Sequence, residues 1–568
     1  MNFLRLNDYL ISILFENEDI LAFDKPYGVN AHTNDSKALH NDFILEGLIE
    51  ILSKQLGYPL YVVHRLDQTT TGVIVFAKTP ESAKKYADYF FQRQVKKTYL
   101  FITAATSTKT EFNIDKVIIH KGKELAAQTQ LKFLNKSAGF ELWQAKPLTG
   151  RNHQIRIHAQ AAGISILGDA TYDGDEYPFL CLHNHKIEFP NGICLVSEPP
   201  AYFRNLLFLN DRILAKTFFE TDRRQRLFDL TRKQDQSLRL VHNKNDFADI
   251  GFTIDQYANN LVLSWYSEFW SETDRQRFAT YAEYMQKPLL VRLMFNRGKD
   301  PVNKSQFIIL PQTNQIPHPS AQQIPNPGAH RVGEESSGLQ NTWITHENKM
   351  RFEIRTDSGQ SLGIFLDQRL QRNWVLNHSK DRNVLNLFSY TCGFSLAAAL
   401  GQARSVTSVD TNKNVLNWGR QNFAINQLDL KLGLESGADN KDANGSYHFY
   451  CRDSITYLDQ MFAKNQNFDL IICDPPSFSR GDKGIFKIEN HIENLLEKTL
   501  RLLNPGGDLL FSTNFENIFI PDIHQAILKT QKKLRLKKLD IFCIQSALDF
   551  ELPGKRTILK SFLIHYVA

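Results

Sequence analysis

The chain has 568 residues, and because a single hydrophobic core rarely grows beyond roughly 250–300 residues, its length predicts two or more domains. Hydrophobic residues make up 42% and charged residues 23%, the usage of ordinary globular proteins, which excludes a mostly disordered or collagen-like chain. The net charge of +6 suits contact with nucleic acid but is too small to establish it.

The beginning of the chain and the cysteines bear on its compartment. Residues 1–23 carry several acidic side chains and no apolar stretch behind a basic head, so they do not resemble a secretory signal. No run of about 18 apolar residues occurs, which argues against a membrane-spanning helix. The cysteines are scattered and never spaced as Cys-x-x-Cys, so we expect reduced thiols in a cytoplasm, without disulfides or a structural metal site.

A polar turn near residue 67 precedes the first strongly apolar strand. The segment Val62-Val-His-Arg-Leu-Asp-Gln-Thr-Thr-Thr-Gly72 places Asp67 close to Arg65 on this turn. An aspartate in a turn is usually structural. A second segment, Leu148–His158, adds two arginines and two histidines around a strand-like stretch at 154–157, and this favours a charged site.

These segments resemble the signature of the RluA-type pseudouridine synthases. That signature is His-Arg-Leu-Asp with a Thr/Ser-Gly turn, a Gly-Arg-x-His-Gln-x-Arg-x-His segment and an Ile-Leu-Gly-Asp run, which here ends at Asp169. Asp24-Lys-Pro-Tyr-Gly28 resembles the family's Asn-Lys-Pro-x-Gly opening. The resemblance covers about residues 10–215, with mild departures at Thr71 and Asn152, where Ser and Thr are usual.

The resemblance implies an α+β pseudouridine synthase fold and four residue roles. Asp67 would be the nucleophile that detaches uracil from ribose so that the base can rotate and reattach through carbon. Arg156 would pair with Asp67 and keep it ionised. Tyr99 would stack on the target base and move the proton at C5, and Arg65 would fill the space left by the flipped nucleotide. Without the resemblance, Tyr99 is more simply a core residue, and no cofactor or metal is implied for this half.

The middle of the chain contains a charged stretch, a small domain and a Pro-rich segment. Thr221–Gln236 is rich in Arg and Asp, and we favour a solvated helix or linker over an RNA-binding strip. Leu310–Gly328 is rich in Pro, Gln and Asn and predicts an extended loop. Between them a small α+β domain is predicted, with strands at 252–257, 261–266 and 289–295 and a helix at 272–285.

The third block alternates apolar strands with helical segments, which favours a parallel sheet with crossover helices. The segment Val384–Ala399 predicts a strand, a polar turn with Gly393 and an Ala-rich helix. Such a unit presents backbone N–H groups to a ligand. It lacks the three-glycine dinucleotide fingerprint. Asp410 ends the next strand and can bond ribose hydroxyls, or it simply caps the following helix.

A rigid turn follows the buried strand that ends near residue 473. Pro475 and Pro476 fix this turn at the carboxyl edge of the sheet, where the sites of α/β proteins lie. Asp474 and the carbonyls of the turn can accept hydrogen bonds from an amino group, and Phe478 offers a stacking face for a base. Asp-Pro-Pro also occurs in ordinary turns, but its place after an apolar strand favours a functional site.

The third block resembles class I S-adenosylmethionine-dependent methyltransferases, specifically the RlmI/RlmK-like group that acts on large-subunit rRNA. The shared stretches are Gly363–Arg369, Leu385–Thr391, Val406–Asp410, Asp474–Ser479, Leu503–Gly507 and, in the middle block, Phe252–Tyr257. The resemblance covers about residues 237–568 and implies S-adenosylmethionine as the cofactor. It places Phe388, Ser389, Tyr390 and Gly393 at the methionine end, Asp410 on the ribose, Asp453 on the adenine, Arg369 and Asp474 near the donor, and Pro475, Pro476 and Phe478 on the RNA.

The residue types near the turn bear on which atom is methylated. Methylation of cytosine C5 needs a Cys nucleophile, which in the cytosine-modifying members follows the Pro-Gly-Gly strand. This chain has Leu510-Phe-Ser-Thr-Asn-Phe515 there, without cysteine, and Cys473 is more simply a core residue. We therefore favour a guanine nitrogen, as in the RlmK-like branch, although Cys392 replaces the Gly that is usual in the donor loop.

Together these features predict a multidomain, bifunctional RNA-modifying enzyme. The expected domains are a synthase at 1–220, a small α+β central domain for RNA recognition at 237–340, and an α/β Rossmann-like class I methyltransferase at 341–568. The expected partner is rRNA of the large subunit; no DNA, membrane or obligate protein partner is implied. Three alternatives stay open: methylation of cytosine C5 or another base with the synthase half as an RNA-binding module, a non-enzymatic RNA-binding factor, and a methyltransferase for a protein or small molecule.

Overall fold

A computed structural model describes residues 2–4, 13–33, 47–120, 122–227, 237–242, 246, 251–294, 306–310, 342–356, 358, 361–428, 447–481, 484–544, 546–547, 549–550 and 559–567. The predicted Pro-rich loop at 310–328 lies outside these residues except for its first position, as do residues 228–236 of the charged stretch. Among the described residues, no helix has both the length and the apolar character needed to cross a membrane.

The first unit is built on a mixed ten-stranded sheet. Its strands and the short strands near it are, with the N-terminal strand counted first, β1 (Asn2–Leu4), β2 (Ile13–Glu16), β3 (Ile20–Lys25), β4 (Tyr61–Val62), β5 (Thr71–Ala77), β6 (Lys96–Thr103), β7 (Glu111–Asp115), β8 (Ile118–His120), β9 (Lys123–Leu125), β10 (Gln128–Ser137), β11 (Phe140–Pro147), β12 (Leu182–Glu188) and β13 (Cys194–Val196). The helices are α1 (Leu48–Leu56), α2 (Pro80–Phe91), α3 (Gln154–Ala161), α4 (Ala201–Arg204) and α5 (Arg212–Leu227). The sheet order is β2-β3-β5-β12-β6-β11-β10-β7, so β5, β12 and β6 lie at its centre.

The central unit matches the predicted small α+β domain. A five-stranded sheet runs in the order of the chain, from β14 (Leu238–His242) through β15 (Phe252–Tyr257), β16 (Asn260–Trp265) and β17 (Leu289–Leu293) to β18 (Gln306–Ile309). The helix α6 (Glu272–Met285) connects β16 to β17, which is why these two strands are parallel while the others are antiparallel. The helix begins at a capping box in which Ser271 and Asp274 satisfy each other's backbone N–H groups.

The third unit is a parallel sheet with crossover helices, as predicted. Its elements are β19 (Thr342–Glu347), β20 (Met350–Arg355), α7 (Arg369–His378), β21 (Asn383–Leu387), α8 (Gly393–Leu400), β22 (Ser405–Asp410), α9 (Lys413–Ile425), β23 (Tyr447–Cys451), α10 (Ser454–Ala463), β24 (Phe468–Cys473), β25 (Phe478–Gly481), β26 (Gly484–Lys487), α11 (Ile488–Arg501), β27 (Leu503–Thr513), α12 (Ile520–Leu534), β28 (Leu539–Ile544) and β29 (Lys560–Tyr566). The sheet order is β1-β28-β29-β27-β24-β21-β22-β23, and β29 runs antiparallel to both neighbours. The carboxyl ends of β21, β22 and β24 therefore meet at one edge.

One local prediction was wrong: residues 154–157 form the start of helix α3 and not a strand. The buried residues Ile155, Arg156 and Ala159 recur at intervals of three and four, which is the spacing of one face of a helix. His153 precedes the helix with a φ of +53° and turns the chain into it. The alternation of polar and apolar residues over four positions was too short to separate the two structures.

The charged stretch is also not a solvated face. Helix α5 runs to Leu227, and Arg223, Arg224 and Arg226 are all buried within it. Each guanidinium is paired with at least one carboxylate, so burial of the positive charges is compensated. Charge alone predicted solvent exposure because the partner acids lie both within the helix and far away in the sequence.

Two elements cross the predicted domain boundaries. Helix α5 extends past residue 220, and its Phe218 lies in one continuous apolar cluster with Ile102 of the first sheet and Phe278 of α6. Strand β1 at the beginning of the chain pairs in parallel with Phe542–Ile544 of β28, at the edge of the third sheet. The first unit is thus attached to the second through a shared core and to the third through an added strand.

Candidate active sites

Asp67 lies on the turn between β4 and β5. The Thr70 backbone N–H donates to the Asp67 carbonyl (3.0 Å), which closes the turn. Gly72 follows with a φ of +110°, and a Cβ at this position would lie 2.2 Å from the Asn184 carbonyl oxygen, so the turn requires glycine. The Asp67 side chain is 29% exposed, which leaves its carboxylate accessible from solvent.

A buried lysine supports the same turn from β3. The Lys25 ammonium donates to the carbonyls of Pro26 (3.1 Å), Gln68 (3.0 Å) and Thr70 (2.9 Å). Burial lowers the pKa of Lys25 to about 7, and the charge of Asp67 acts against this lowering. Lys25 was not among the predicted site residues, although a lysine that continues the apolar strand begun at Ile20 is a signal that could have found it.

Arg156 and His153 approach the Asp67 carboxylate from the beginning of α3. Arg156 Nη1 and His153 Nε2 each lie 3.8 Å from Asp67 Oδ2. The closer partner of Arg156 is Asp169, whose two oxygens accept from Nε and Nη2 at 2.7 Å each. The Arg156 guanidinium also lies over the Tyr172 ring, 4.9 Å from its centroid. Arg156 is thus near Asp67 as predicted, but a bidentate ion pair with Asp169 fixes its orientation.

Tyr99 and Arg65, the other two predicted residues of this site, differ in solvent exposure. Tyr99 is partly buried on β6, in register with Ala145 of β11 and Asn184 of β12. Burial, with a further contribution from the charge of Asp67, raises the pKa of Tyr99 above its usual range, so the hydroxyl keeps its proton at neutral pH. Arg65 is exposed two residues before Asp67. The structure therefore brings Asp67, Arg156 and Tyr99 together and leaves Arg65 at the surface.

The second candidate site begins at the loop after β21. Three non-glycine residues of this loop have left-handed backbones: Phe388 (φ +54°), Tyr390 (φ +47°) and Cys392 (φ +60°). Such conformations cost on the order of 1–3 kcal/mol each and occur mainly where a site requires them. The Thr391 hydroxyl donates to the Gly363 carbonyl (2.5 Å), and Gly393 begins α8. The loop is therefore held open at the carboxyl edge, with its predicted residues Phe388, Ser389, Tyr390 and Gly393 contiguous.

Two predicted carboxylates lie at the neighbouring strand ends. Asp410 ends β22, and its oxygens accept from the backbone N–H groups of Tyr390 and Asn412 at 2.9 Å each. Burial raises the pKa of Asp410, while these backbone donors act in the opposite direction. Asp453 caps α10 by accepting from the Thr456 N–H (2.8 Å) and hydroxyl (3.0 Å). Because a carboxylate has about four acceptor positions, both residues keep capacity for a bound hydroxyl or amino group.

Asp474 directly follows β24 at the same edge. Burial and repulsion from Asp367 raise the pKa of Asp474 to about 7, against the charge of Arg372 and a hydrogen bond from Gln368. At neutral pH the Asp474 carboxyl is therefore partly protonated and partly ionised. The carboxylate is positioned to accept from an amino group while it is ionised, or to donate while it is protonated.

The rest of this turn presents apolar groups to solvent. Pro475 is buried, Pro476 is exposed, and the Phe478 residue is 51% exposed. The Ser477 hydroxyl donates to Asn514 Oδ1 (3.4 Å), which links the turn to the end of β27. Asn514 was not a predicted site residue, although it stands in the Phe-Ser-Thr-Asn stretch that bears on the methylated atom.

Arg369 begins α7, and its guanidinium is paired with a distant carboxylate. Its Nη1 and Nη2 donate to the two oxygens of Asp549 at 3.1 and 2.8 Å, and both side chains are buried. Arg369 directly follows Asp367 and Gln368, the two residues that act on the Asp474 carboxyl. Its contact with the candidate site is therefore indirect.

A cavity of about 960 Å³ lies between the central sheet and the third unit. Its volume is at the upper end of the range for small-molecule sites. Its walls combine residues of both units, among them Arg239, Asp255, Phe365, Tyr390, Asn412 and Trp418. The central unit thus covers one side of the donor loop.

Comparisons with known proteins identify both halves. A family model for RNA pseudouridylate synthases matches residues 19–161, and a model for S-adenosylmethionine-dependent methyltransferases matches residues 329–531. Ribosomal RNA large subunit methyltransferase K/L of Pseudoalteromonas atlantica is 34% identical over 32% of this chain and 24% of its own length. The protein of the same name from Shewanella sp. (strain MR-4) is 38% identical over 30% of this chain and 22% of its own length. The chain therefore spans less than a quarter of either relative.

Among solved structures, human RNA Pseudouridylate Synthase Domain Containing 4 is 26% identical, covers 34% of this chain and 90% of its own, and superposes with a TM-score of 0.29. The predicted fold class is confirmed, because the synthase-type unit and the Rossmann-like unit both lie where the sequence indicates them. S-adenosylmethionine is the cofactor of the second matched family. The chain therefore joins a domain of the RNA pseudouridylate synthase family to a domain of the S-adenosylmethionine-dependent methyltransferase family.

Proposed function

We propose that this chain is a bifunctional RNA-modifying enzyme, which isomerises uridine to pseudouridine at Asp67 and methylates an RNA base beside Asp474. The observation that carries the proposal is the accessible Asp67 carboxylate on a glycine-dependent turn, with Arg156 and His153 3.8 Å away. This turn lies within the segment that the pseudouridylate synthase model matches.

In the isomerisation, Asp67 acts as the nucleophile that releases uracil from ribose. A carboxylate can form and break one covalent bond within a cycle and so divides a difficult step into two easier ones. Arg156 supplies positive charge 3.8 Å from this carboxylate and is kept in place by Asp169, and Lys25 interacts with the charge of Asp67 while it is protonated. Tyr99 stacks on the base. Its hydroxyl can take the proton from C5 only if it passes its own proton to a base, and the Asp67 carboxylate, whose charge acts on Tyr99, is that base once it is free again. Arg65 occupies the space that the flipped nucleotide leaves in the RNA.

In the methylation, S-adenosylmethionine supplies the electrophilic methyl group. The residues of this chain orient the reactants: Phe388, Ser389, Tyr390 and Gly393 form the loop at the methionine end, and Asp410 and Asp453 accept hydrogen bonds from the ribose and the adenine. Asp474 holds the target base through an amino group. The exposed Pro476 and Phe478 form its platform, whereas Pro475, which was predicted on the RNA, is buried and can only fix the turn beneath them. Such a transfer depends mainly on proximity and alignment.

We propose a guanine nitrogen as the acceptor, because no thiol is suitably placed to activate cytosine C5. Cys473 is fully buried on β24, and burial raises the pKa of its thiol well above the usual value. Cys451 is exposed, but it ends β23, which is separated from β24 by β22 and β21. A guanine also offers the exocyclic amino group that an ionised Asp474 can bind.

We further propose large-subunit rRNA as the substrate. The relatives from Pseudoalteromonas and Shewanella carry names that state methylation of this RNA, and they are 34% and 38% identical to this chain over 183 and 174 residues. The exposed Phe478 and Arg65 are suited to unstacked bases, which proteins recognise by stacking in structured RNA.

The test is to incubate the purified protein with unmodified, transcribed large-subunit rRNA and labelled S-adenosylmethionine, and to map the modified nucleotides by mass spectrometry. We expect one or more pseudouridines and a methylated guanine. Asp67→Asn is expected to abolish the pseudouridine and leave the methyl group, whereas Asp88→Asn, on the exposed face of α2, changes neither.

Each alternative gives its own result in this experiment. Pseudouridine that is absent with the wild-type protein, with methylation intact, would reduce the first half to an RNA-binding module. Label at cytosine C5 would contradict the guanine assignment, and label in protein alone would contradict the RNA substrate.

A further inference from the structure

Helix α5 belongs to neither matched segment, because these cover residues 19–161 and 329–531. It nevertheless carries two arginines, Arg224 and Arg226, that are buried and fully engaged with residues of different units. We propose that α5 positions both candidate active sites, with Arg226 acting on the Asp67 turn and Arg224 acting on the Asp474 carboxyl. This inference rests on the proposed function and names positioning residues for its two reactions.

Arg226 binds the strand that supports the Asp67 turn. Its guanidinium pairs with Asp24 of β3 and bidentately with Asp222 of its own helix, and its Nη2 also donates to the Glu198 carbonyl (2.7 Å). Asp24 stands where the synthase opening motif usually has Asn. This chain therefore has a carboxylate that is paired with Arg226 at a position that is usually neutral. The pair is buried, and burial raises the pKa of Asp24 against the attraction of Arg226.

Two short routes lead from Asp24 to the turn. The first is the backbone, because the next residue, Lys25, donates to the carbonyls of Gln68 and Thr70. The second is a chain of buried hydrogen bonds. The Ser197 hydroxyl donates to Asp24 Oδ1 (2.7 Å), the Ser197 carbonyl lies 3.1 Å from His183 Nε2, and His183 Nδ1 lies 2.9 Å from the Thr71 hydroxyl. Both routes end on residues 68–71, directly after Asp67.

Arg224 acts on the other site in a comparable way. Its Nε donates to the Asp549 carbonyl (2.9 Å), and its Nη1 and Nη2 bind Glu220 and Asp246. The Asp549 carboxylate in turn accepts from Arg369 at 2.8 and 3.1 Å. Arg369 follows Gln368, whose side chain hydrogen-bonds the Asp474 carboxyl. Helix α5 therefore contacts Asp24 through Arg226 and Asp549 through Arg224, and these two aspartates belong to the groups that hold the two candidate sites.

The distinguishing prediction is a separation of effects between two neighbouring positions on one helix. Arg226→Gln is expected to lower kcat for isomerisation by about 10- to 100-fold, the usual cost of losing a partner that orients a reacting group, with KM for RNA unchanged because Arg226 is buried. Methyl transfer by the same molecules is expected to stay at the wild-type rate. Arg224→Gln is expected to give the reverse pattern.

The experiment measures both reactions on each full-length variant with transcribed rRNA: tritium released from uracil C5, and methyl groups incorporated from labelled S-adenosylmethionine. Asp24→Asn combined with Arg226→Gln removes the charge that Arg226→Gln leaves unpaired on β3, while the partly exposed Asp222 keeps access to solvent, and this double variant is expected to recover most of the isomerisation rate. Asp549→Asn keeps the carbonyl that Arg224 binds but weakens the hold on Arg369, and it is expected to lower methyl transfer alone. Arg212→Gln, at the exposed first residue of α5, is the matched control and is expected to change neither rate.

Two results would overturn the inference. The first is that both rates fall together in each variant, since this would mean that the arginines only stabilise the fold. The second is that neither rate changes although the wild-type protein is active in both reactions. A wild-type protein that is inactive toward every RNA contradicts the proposed function itself, and so the two failures are distinguishable.

Discussion

The two candidate sites are organised by different physical means. Around Asp67 the geometry is set by charged side chains, with the bidentate Arg156–Asp169 pair at 2.7 Å and the buried Lys25 ammonium on three carbonyls. At the donor loop the geometry is set by the backbone: three residues are left-handed, and the N–H of one of them, Tyr390, donates to Asp410. Mutations that remove charge should therefore affect the first site most, whereas backbone preference matters at both sites, at Gly72 in the first and at three residues in the second.

The largest effect is expected for Arg156→Gln. This substitution leaves Asp169 buried without its ionic partner, which costs about 3–5 kcal/mol of unfolding free energy. It also removes the positive charge beside Asp67, so isomerisation should fall by several orders of magnitude. Urea unfolding and tritium release measure the two effects. Arg151→Gln, a change to a partly exposed arginine just before the same helix, is the control, and equal losses in both variants would contradict the role of the buried pair.

The buried Lys25 predicts an unusual dependence of stability on pH. The folded protein binds the proton of Lys25 with a pKa of about 7, whereas the unfolded chain binds it near 10.5. Between these values the unfolded state holds more protons, so the unfolding free energy should rise with pH, by up to about 1.4 kcal/mol per unit. Urea titrations from pH 7 to 10 measure this slope for the wild type and for Lys25→Met, which should be flatter. Parallel slopes would show that Lys25 does not titrate in this range.

The sequence predicted well what depends on local motifs and on the period of apolar residues. The Asp67 turn, the donor loop and the Asp474 turn all stand directly before or after apolar strands, and the structure has them there. The central helix was predicted at 272–285, and the structure has it at Glu272–Met285.

The sequence failed where the partner of a residue is distant in the chain. Arg226 was predicted to be a solvated charge, because its partner Asp24 is 202 residues away in the sequence. The pairing of Arg369 with Asp549, 180 residues later, was not predicted either, and its place near the donor stays a prediction. Strand β1 could not be assigned to the third sheet, since its partner lies at the other end of the chain. Such pairings depend on the tertiary arrangement of units, which no local pattern encodes.

A smaller effect is expected at the base-binding turn. Because burial and Asp367 raise the pKa of Asp474 to about 7, the fraction of ionised carboxylate increases through neutral pH. If ionised Asp474 binds the amino group of the base, kcat/KM for methyl transfer should rise with pH by about tenfold per unit below pH 7 and level off above it. Initial rates from pH 5.5 to 8.5 measure the profile. Asp474→Asn should be slower and flat over this range, and a wild-type profile without the rise would contradict the assignment.

The smallest effect concerns the backbone of the donor loop. Cys392 has a φ of +60°, and its sulfur packs where a Cβ on Gly419 would come within 2.4 Å. Because a left-handed conformation costs a residue with a Cβ roughly 1–2 kcal/mol, Cys392→Gly should be more stable than Cys392→Ala by about that amount. Both variants lose the same thiol and differ in one buried methyl group, whose burial favours Ala, so a more stable Gly variant can only reflect the backbone. Thermal unfolding monitored by circular dichroism measures it. In an ordinary helical position the order is reversed, because Ala is more stable there than Gly. If the Ala variant were the more stable one at position 392, this residue would not be held in the left-handed region, and the backbone would not determine the geometry of the loop.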